Sequence, residues 1–88
     1  MTLLYKYNEE IFKLEDLIES NSKIKRIWGY AIKDEYEFWS EIRLFDLIIE
    51  TTENFENRLA EEGIDIEFFK STDEKFDLNV LLQPLMEV

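Results

Sequence analysis

The sequence contains no cysteine and no histidine in 88 residues, and it has only two glycines and one proline. Without cysteine, the chain has neither a disulfide framework nor thiolate chemistry. The absence of both residue types removes the usual zinc and copper ligands, which leaves only carboxylate sites for Mg²⁺, Mn²⁺ or Ca²⁺. So few glycines also argue against a glycine-rich phosphate-binding loop. We therefore predict no cofactor, no metal site and no catalytic residue.

Long hydrophobic runs are missing as well. No stretch approaches the roughly 20 apolar residues that cross a bilayer, and the N-terminus lacks the basic and apolar segments of a signal peptide. These features predict a cytoplasmic protein of a bacterium or of a phage-infected host cell. The length fits a single domain, residues 1–88. A content of 45% apolar and 15% aromatic residues is sufficient for a compact core.

The most informative feature is the charge, with 21 acids against 10 bases and a formal net of −11. From Asp34 to Val88 the chain has 16 acids and four bases. A basic island precedes this region, for which intramolecular ion pairs are expected. A dense acidic surface repels nucleic acid and anionic membranes, and it attracts basic proteins. The island consists of Lys23, Lys25, Arg26 and Lys33.

The first half of the chain predicts a strand or apolar lead-in at 3–7, then a helix, then a strand at 24–32. We predict Asn8 as the N-cap of this helix, with Glu9 and Glu10 in its first turn. The polar residues at 20–22 are predicted to end it. The apolar residues Ile11, Leu14, Leu17 and Ile18 recur at helical spacing.

Residues 34–50 fit two structures. The run 42–49 favours a strand because of its β-branched residues, Ile48 and Ile49 in particular. A helix from Asp34 would instead align a stripe of apolar residues on one face. We slightly favour the strand. The stripe consists of Phe38, Ile42, Phe45 and Ile49.

The second half predicts a helix from Glu53 to Glu62, capped by Thr52 and ended by Gly63. Its residues Phe55 and Leu59 would face inward. A strand follows at 64–68, where apolar and acidic residues alternate, then a turn at 71–74 and a short helix near Pro84. The order of elements predicts a small α+β domain, with about three strands against two or three helices, and leaves α/β as the alternative.

One spacing resembles a known family. Gly29 and Tyr30 are followed by ten residues and then by Glu41-Ile42-Arg43, and Asp65 lies on a later predicted strand. The pattern resembles minimal nucleotidyltransferase domains, the antitoxin halves of many bacterial toxin pairs. That family carries Gly-Ser, ten residues, Asp-x-Asp and a third carboxylate. The resemblance covers roughly residues 8 to 70.

The resemblance implies a degenerate domain. In the family, the three carboxylates hold two Mg²⁺ ions on a nucleoside triphosphate. Here Tyr30 replaces the serine and Arg43 replaces one aspartate, so only Glu41 and Asp65 could still coordinate a metal. The resemblance therefore implies an inactive copy that is retained for its surface.

Two acidic stretches are candidates for a partner-binding site. In the first, residues 34–39, aromatic residues interrupt a run of acids, a pattern typical of interface anchors surrounded by charge. The alternative is a solvated acidic face with Phe38 and Trp39 turned inward. In the second, the acids of the predicted 53–62 helix either mimic a row of phosphates or simply solubilise it. The candidates are Asp34, Glu35, Tyr36, Glu37, Phe38, Trp39, Glu41, Glu53, Glu56, Glu61 and Glu62.

Together these features predict a non-enzymatic inhibitor that occludes a basic nucleic-acid-binding protein or nuclease. Antitoxins, nuclease immunity proteins, anti-CRISPR and anti-restriction factors work in this way. No direct contact with nucleic acid or membrane is expected. Two alternatives remain, a degenerate nucleotidyltransferase-like antitoxin domain and an adaptor or subunit held by apolar contacts. The oligomeric state is open.

Overall fold

In the computed structural model, which describes residues 1–87, the chain begins with a β-hairpin. Strands β1 (Thr2–Tyr7) and β2 (Glu10–Lys13) pair antiparallel. Asn8 and Glu9 form the turn, with φ of 51° and 65°, the left-handed conformation that matches the twist of a hairpin. Of the two alternatives at 3–7, the strand is the one found. The helix start at Asn8 is wrong, because Asn8 turns the chain and Ile11 lies exposed on β2.

A third strand, β3 (Ile66–Thr72), pairs antiparallel with β1 and gives the sheet order β2-β1-β3. Tyr5 lies opposite Phe68 and Leu4 opposite Lys70, so Phe69 is an extra residue that forms a β-bulge. The strand predicted at 64–68 therefore begins two residues later. It also continues through Ser71 and Thr72, which were predicted as turn, because both pair with β1.

Three longer helices follow the hairpin in the first two thirds of the chain: α1 (Leu14–Ser20), α2 (Ser22–Phe38) and α3 (Leu44–Glu61). The polar stop after α1 is confirmed, and Asn21 there caps α2 by accepting from the backbone N–H of Lys23 at 2.8 Å. The strand predicted at 24–32 is wrong. The buried residues of α2 recur at helical spacing, and that period outweighs their β propensity. They are Ile24, Ile27, Trp28, Ala31 and Ile32.

The strand favoured at 42–49 is also wrong, because α3 begins at Leu44. The helical alternative was right in type, although two helices with a connection at 39–43 replace one helix from Asp34. Thr52 lies within α3, where its hydroxyl donates to the carbonyl of Ile49 at 2.6 Å, so it is not a cap. The inward position of Phe55 and Leu59 is confirmed. Gly63 follows the helix end with φ 72°, as predicted.

Two single-turn helices, α4 (Leu78–Leu81) and α5 (Gln83–Met86), complete the described chain. Pro84 lies in the first turn of α5, which confirms the predicted short helix; Val88 lies outside the described residues. The three-stranded sheet and the five helices of residues 1–87 confirm the α+β class. The helix count exceeds the expected two or three because the strand predicted at 24–32 is part of α2 and because α4 was not predicted. The strand predicted at 42–49 adds no helix, since it merges with the helix predicted at 53–62 into α3.

The core centres on Trp28, which is fully buried between α2, α3 and α4. Its indole Nε1 donates a hydrogen bond to the carbonyl of Leu81 at 2.9 Å. Its ring contacts Phe55 edge to face, with 5.3 Å between centroids. Helices α2 and α3 run antiparallel, since Lys23 pairs with Glu62 at one end and Asp34 with Arg58 farther along. Trp28 therefore fixes the helical hairpin against the C-terminal segment.

A second set of hydrogen bonds connects the sheet to the helices through Glu15, a buried acid at the start of α1. Its carboxylate accepts from the Thr2 hydroxyl at 3.1 Å and from the Asp77 backbone N–H at 3.1 Å. Hydrogen bonds of this kind satisfy a charge that would otherwise be expensive to bury. The contact holds β1, α1 and the segment before α4 together.

The two tryptophans provide a matched test of the core. Trp28→Phe leaves the Leu81 carbonyl without its donor, so we expect the free energy of unfolding to fall by about 1–3 kcal/mol. Trp39→Phe changes a partly exposed ring at the surface and should cost less than about 0.5 kcal/mol. Urea denaturation followed by circular dichroism measures both. Equal losses would contradict the central position of Trp28.

Candidate functional site

The predicted segment 34–41 lies at one end of the α2–α3 hairpin, which we call the turn end. Residues 34–38 form the last turns of α2, and Glu41 lies in the connection to α3. Phe38 is 76% exposed and Trp39 is 39% exposed, and their rings meet edge to face with centroids 5.0 Å apart. Tyr36, also in the last turns of α2, is exposed as well. The structure thus brings this stretch together as a surface, and the alternative in which Phe38 turns inward is wrong.

Trp39 is held in place by Glu35. The indole Nε1 donates to Glu35 Oε2 at 3.0 Å, and the Trp39 backbone N–H donates to the Glu35 carbonyl at 3.1 Å. The other oxygen of the carboxylate accepts from Asn54 Nδ2 of α3 at 3.4 Å. The ring is therefore positioned by both helices.

Asp34 and Glu37 differ in how far their charge is already offset. Asp34 pairs with Arg58 of α3, whose Nε also donates to Asn54 Oδ1 at 2.9 Å. Glu37 and Glu41 are exposed, and neither has an ion pair within residues 1–87. The carboxylates most accessible to a partner at the turn end are therefore Glu37 and Glu41.

An acidic cleft of about 270 Å³ extends this surface along the α2–α3 seam. Glu35, Glu50 and Glu53 line it with Asn54 and Asn57. Glu53 thus joins the predicted segment. Glu50 was missed, although Glu50, Glu53 and Asn57 share one helix face at spacings of three and four. The reason is that a strand was predicted at 42–49 and a helix only from Glu53, so Glu50 was not placed on a helix.

The other predicted acids lie elsewhere. Glu56 faces the sheet and accepts a hydrogen bond from the Tyr5 hydroxyl at 2.8 Å. Glu61 and Glu62 lie near the opposite end of the hairpin, where Glu62 pairs with Lys23 at 3.4 Å. The four acids predicted at 53–62 therefore do not form one row, because Glu53 alone among them adjoins the turn end.

The basic island divides between ion pairs and a cleft. Lys23 pairs with Glu62, and Lys25 pairs with Glu19 at 3.5 Å, as expected for intramolecular pairing. Lys25 also lines a cleft of about 440 Å³ between α2 and α5, together with Arg26 and Lys33. Positive charge on this molecule thus collects along the face of α2 that adjoins α5.

The residues of the nucleotidyltransferase resemblance lie on three separate elements. Gly29 is within α2, where a Cβ would lie 3.7 Å from Pro84, Glu41 is in the α2–α3 connection, and Asp65 immediately precedes β3. Within residues 1–87, no three acidic side chains converge in a way that could hold a metal ion. The resemblance stays a prediction.

Comparison with protein-family models, with curated proteins and with solved structures found no match to this chain. None of the helices within residues 1–87 combines the length and the apolar character that a membrane crossing requires.

The contact between Tyr5 and Glu56 predicts an alkaline loss of stability. Burial raises the pKa of the Tyr5 hydroxyl, and the hydrogen bond to the Glu56 carboxylate raises it further. A group with a raised pKa stabilises the fold at pH values below its unfolded pKa of about 10, and this contribution is lost as the pH rises beyond it. Stability should thus decline above about pH 10.

Urea denaturation across this pH range, on the wild type, Tyr5→Phe and the exposed control Tyr36→Phe, measures this decline. We expect Tyr5→Phe to be less stable at neutral pH, because it loses a hydrogen bond, and to decline less at alkaline pH. Tyr36→Phe should follow the wild type. The same alkaline slope in all three proteins would refute the assignment to Tyr5.

Proposed function

We propose that this protein is an acidic, non-enzymatic binding protein that inhibits a basic nucleic-acid-handling protein by covering its nucleic-acid-binding surface. The observation that carries the proposal is the exposed Phe38–Trp39 pair at the turn end, set among Glu35, Glu37 and Glu41. Antitoxins, nuclease immunity proteins and anti-CRISPR or anti-restriction factors are the classes that act in this way.

The aromatic pair supplies the binding energy. Large aromatic side chains bury about 150–250 Å² each and dominate the energetics of interfaces. Trp39 is already held by its hydrogen bond to Glu35, so it loses little rotamer freedom on binding. A preordered anchor of this kind favours one defined partner surface.

The carboxylates supply attraction and orientation. A protein that grips nucleic acid presents lysine and arginine to the phosphates, and the same side chains pair with carboxylates, arginine often bidentately. Glu37 and Glu41 at the turn end and the Glu35–Glu50–Glu53 cleft beside it offer such acceptors. A partner bound there could no longer bind the phosphates of its nucleic acid.

The proposal is tested by capture and displacement. The protein is immobilised and exposed to source-cell lysate at low and high NaCl, and the retained protein is identified by mass spectrometry. We expect a cationic nucleic-acid-binding protein whose retention falls at high salt, because salt screens exposed charges. Adding the free acidic protein should then displace a fluorescent oligonucleotide from the purified partner.

Charge reversal locates the surface. Glu37→Lys with Glu41→Lys should weaken binding at least about tenfold, or 1.4 kcal/mol. The matched control, Glu9→Lys with Glu10→Lys, makes the same change in net charge on the β-hairpin. The turn of that hairpin lies away from the turn end. Met1, which precedes β1, lies near Leu44 and Phe45 at the start of α3, whereas Tyr5, farther along β1, contacts Glu56. Equal weakening by both pairs, or capture that ignores salt, would refute the proposed surface.

A further inference from the structure

An apolar groove lies beside the start of α3. It has a volume of about 280 Å³ and is bordered by α3 and by the segment that leads into α4. The Phe45 and Phe76 rings approach across it, with centroids 6.3 Å apart. Lys75 is the one charged side chain of its lining within residues 1–87; the apolar lining is Met1, Leu44, Phe45, Ile48, Phe76 and Leu78.

The groove leaves large apolar side chains in water. Phe45 is 50% exposed, and Leu44 and Leu78 are also exposed. Fully burying a side chain of this size is worth about 1.5–3 kcal/mol, so a cover over the groove would gain free energy. The groove also lies at the turn end, because only the 39–43 connection separates Phe38 from Leu44.

The chain segments on either side of the groove, which we call its rim, are acidic overall. The chain segments that border it carry five acids and two bases, counted over 41–46 and 73–77. Two copies joined through this groove would bring like-charged rims together, which is unfavourable. A partner with basic residues around an apolar side chain would instead match it. The acids are Glu41, Asp46, Asp73, Glu74 and Asp77, and the bases are Arg43 and Lys75.

Existing ion pairs do not prevent this match. Asp46 pairs with Arg43 at 3.1 Å and Glu74 with Lys13 at 2.7 Å, and each of these side chains is 45% exposed or more. Exposed pairs contribute only about 0–1 kcal/mol. Both carboxylates can therefore exchange their internal cation for one on a partner at little cost.

The open, apolar form of the groove favours a row of side chains over an organic ligand. Sites for drug-sized molecules bury most of the surface of the ligand. A shallow apolar groove is the usual receptor for an amphipathic helix, which inserts residues at spacings of three and four. Basic residues on the flanks of such a helix would face the acidic rim.

We propose that the groove binds the apolar face of a basic amphipathic helix of the partner. This inference rests on the proposed function and adds a second, salt-resistant contact to it. The charged turn end attracts the partner, and the groove then holds it after water is excluded. Salt should therefore weaken the first contribution and spare the second.

The probes are two synthetic peptides of equal length and charge, a helical Leu–Lys peptide and a Ser–Lys peptide without an apolar face. Titration calorimetry at low and high NaCl measures their affinity. We expect both to bind at low salt and only the Leu–Lys peptide to bind at high salt. Phe45→Ser should weaken the Leu–Lys peptide at least about tenfold, or 1.4 kcal/mol, and leave the Ser–Lys peptide unchanged.

Phe69→Ser is the matched control, since Phe69 on β3 is 53% exposed and lies outside the groove. It should bind both peptides like the wild type, and circular dichroism checks that each variant is folded. Tenfold weakening of the Leu–Lys peptide by Phe45→Ser but not by Phe69→Ser supports the proposal. Equal effects of the two variants, or loss of both peptides at high salt, overturn it.

The outcomes separate this inference from the proposed function. If neither peptide binds at high salt, and Glu37→Lys with Glu41→Lys reduces binding at low salt, the groove proposal is refuted and the proposed acidic binding surface is supported. Failure of both peptides to bind at low salt overturns both proposals. A dimer seen by light scattering that Phe45→Ser abolishes would show that a second copy occupies the groove, which also overturns it.

Discussion

The buried hydrogen bond from Trp28 to the Leu81 carbonyl is the contact on which the arrangement of the helices depends. It crosses 53 residues of sequence and joins α2 to the C-terminal segment, while the Trp28 ring fixes α2 against Phe55 of α3. Because the two helices are held side by side, their connection at 39–43 must emerge at one end of the molecule. The aromatic pair, the acidic cleft and the apolar groove are all positioned by that geometry.

The negative charge of the chain opposes the packing that this hydrogen bond stabilises. A net charge of −11 on 88 residues opposes compaction through self-repulsion, and a domain of this size has a small core with which to resist it. The ion pairs found within residues 1–87 involve mostly exposed side chains and contribute little. A cationic partner would relieve the repulsion and raise the apparent stability, since any ligand that binds only the folded state does so.

The predictions that were confirmed rest on local chemistry. The strand at 3–7, the inward Phe55 and the glycine after α3 each follow from a few neighbouring residues. The errors arose where two local signals competed. Isoleucine-rich segments suggested strands at 24–32 and 42–49. Both segments are helical instead, because their apolar residues are spaced by three and four, and the packing of one helix face outweighs β propensity.

The site was predictable only where its residues are neighbours in sequence. Residues 34–41 are contiguous, so their composition alone indicated a surface. The groove joins Met1, Phe45 and Phe76, which only the folded chain brings together. The hairpin was missed because its turn, Asn8-Glu9, lacks the glycine that normally marks a two-residue turn.

The end of α2 has two features that support the proposed binding role of the turn end. Acids near a helix C-terminus oppose the helix dipole by about 0.3–1 kcal/mol each, and the last turn of α2 contains no base. Arg58 offsets Asp34, but Glu37 has no such partner within residues 1–87, and Phe38 adds a large ring exposed to water. Local choices that conflict with stability tend to collect at functional sites. A basic partner with an apolar contact would reverse both penalties at once, since it would neutralise the carboxylates and bury the ring.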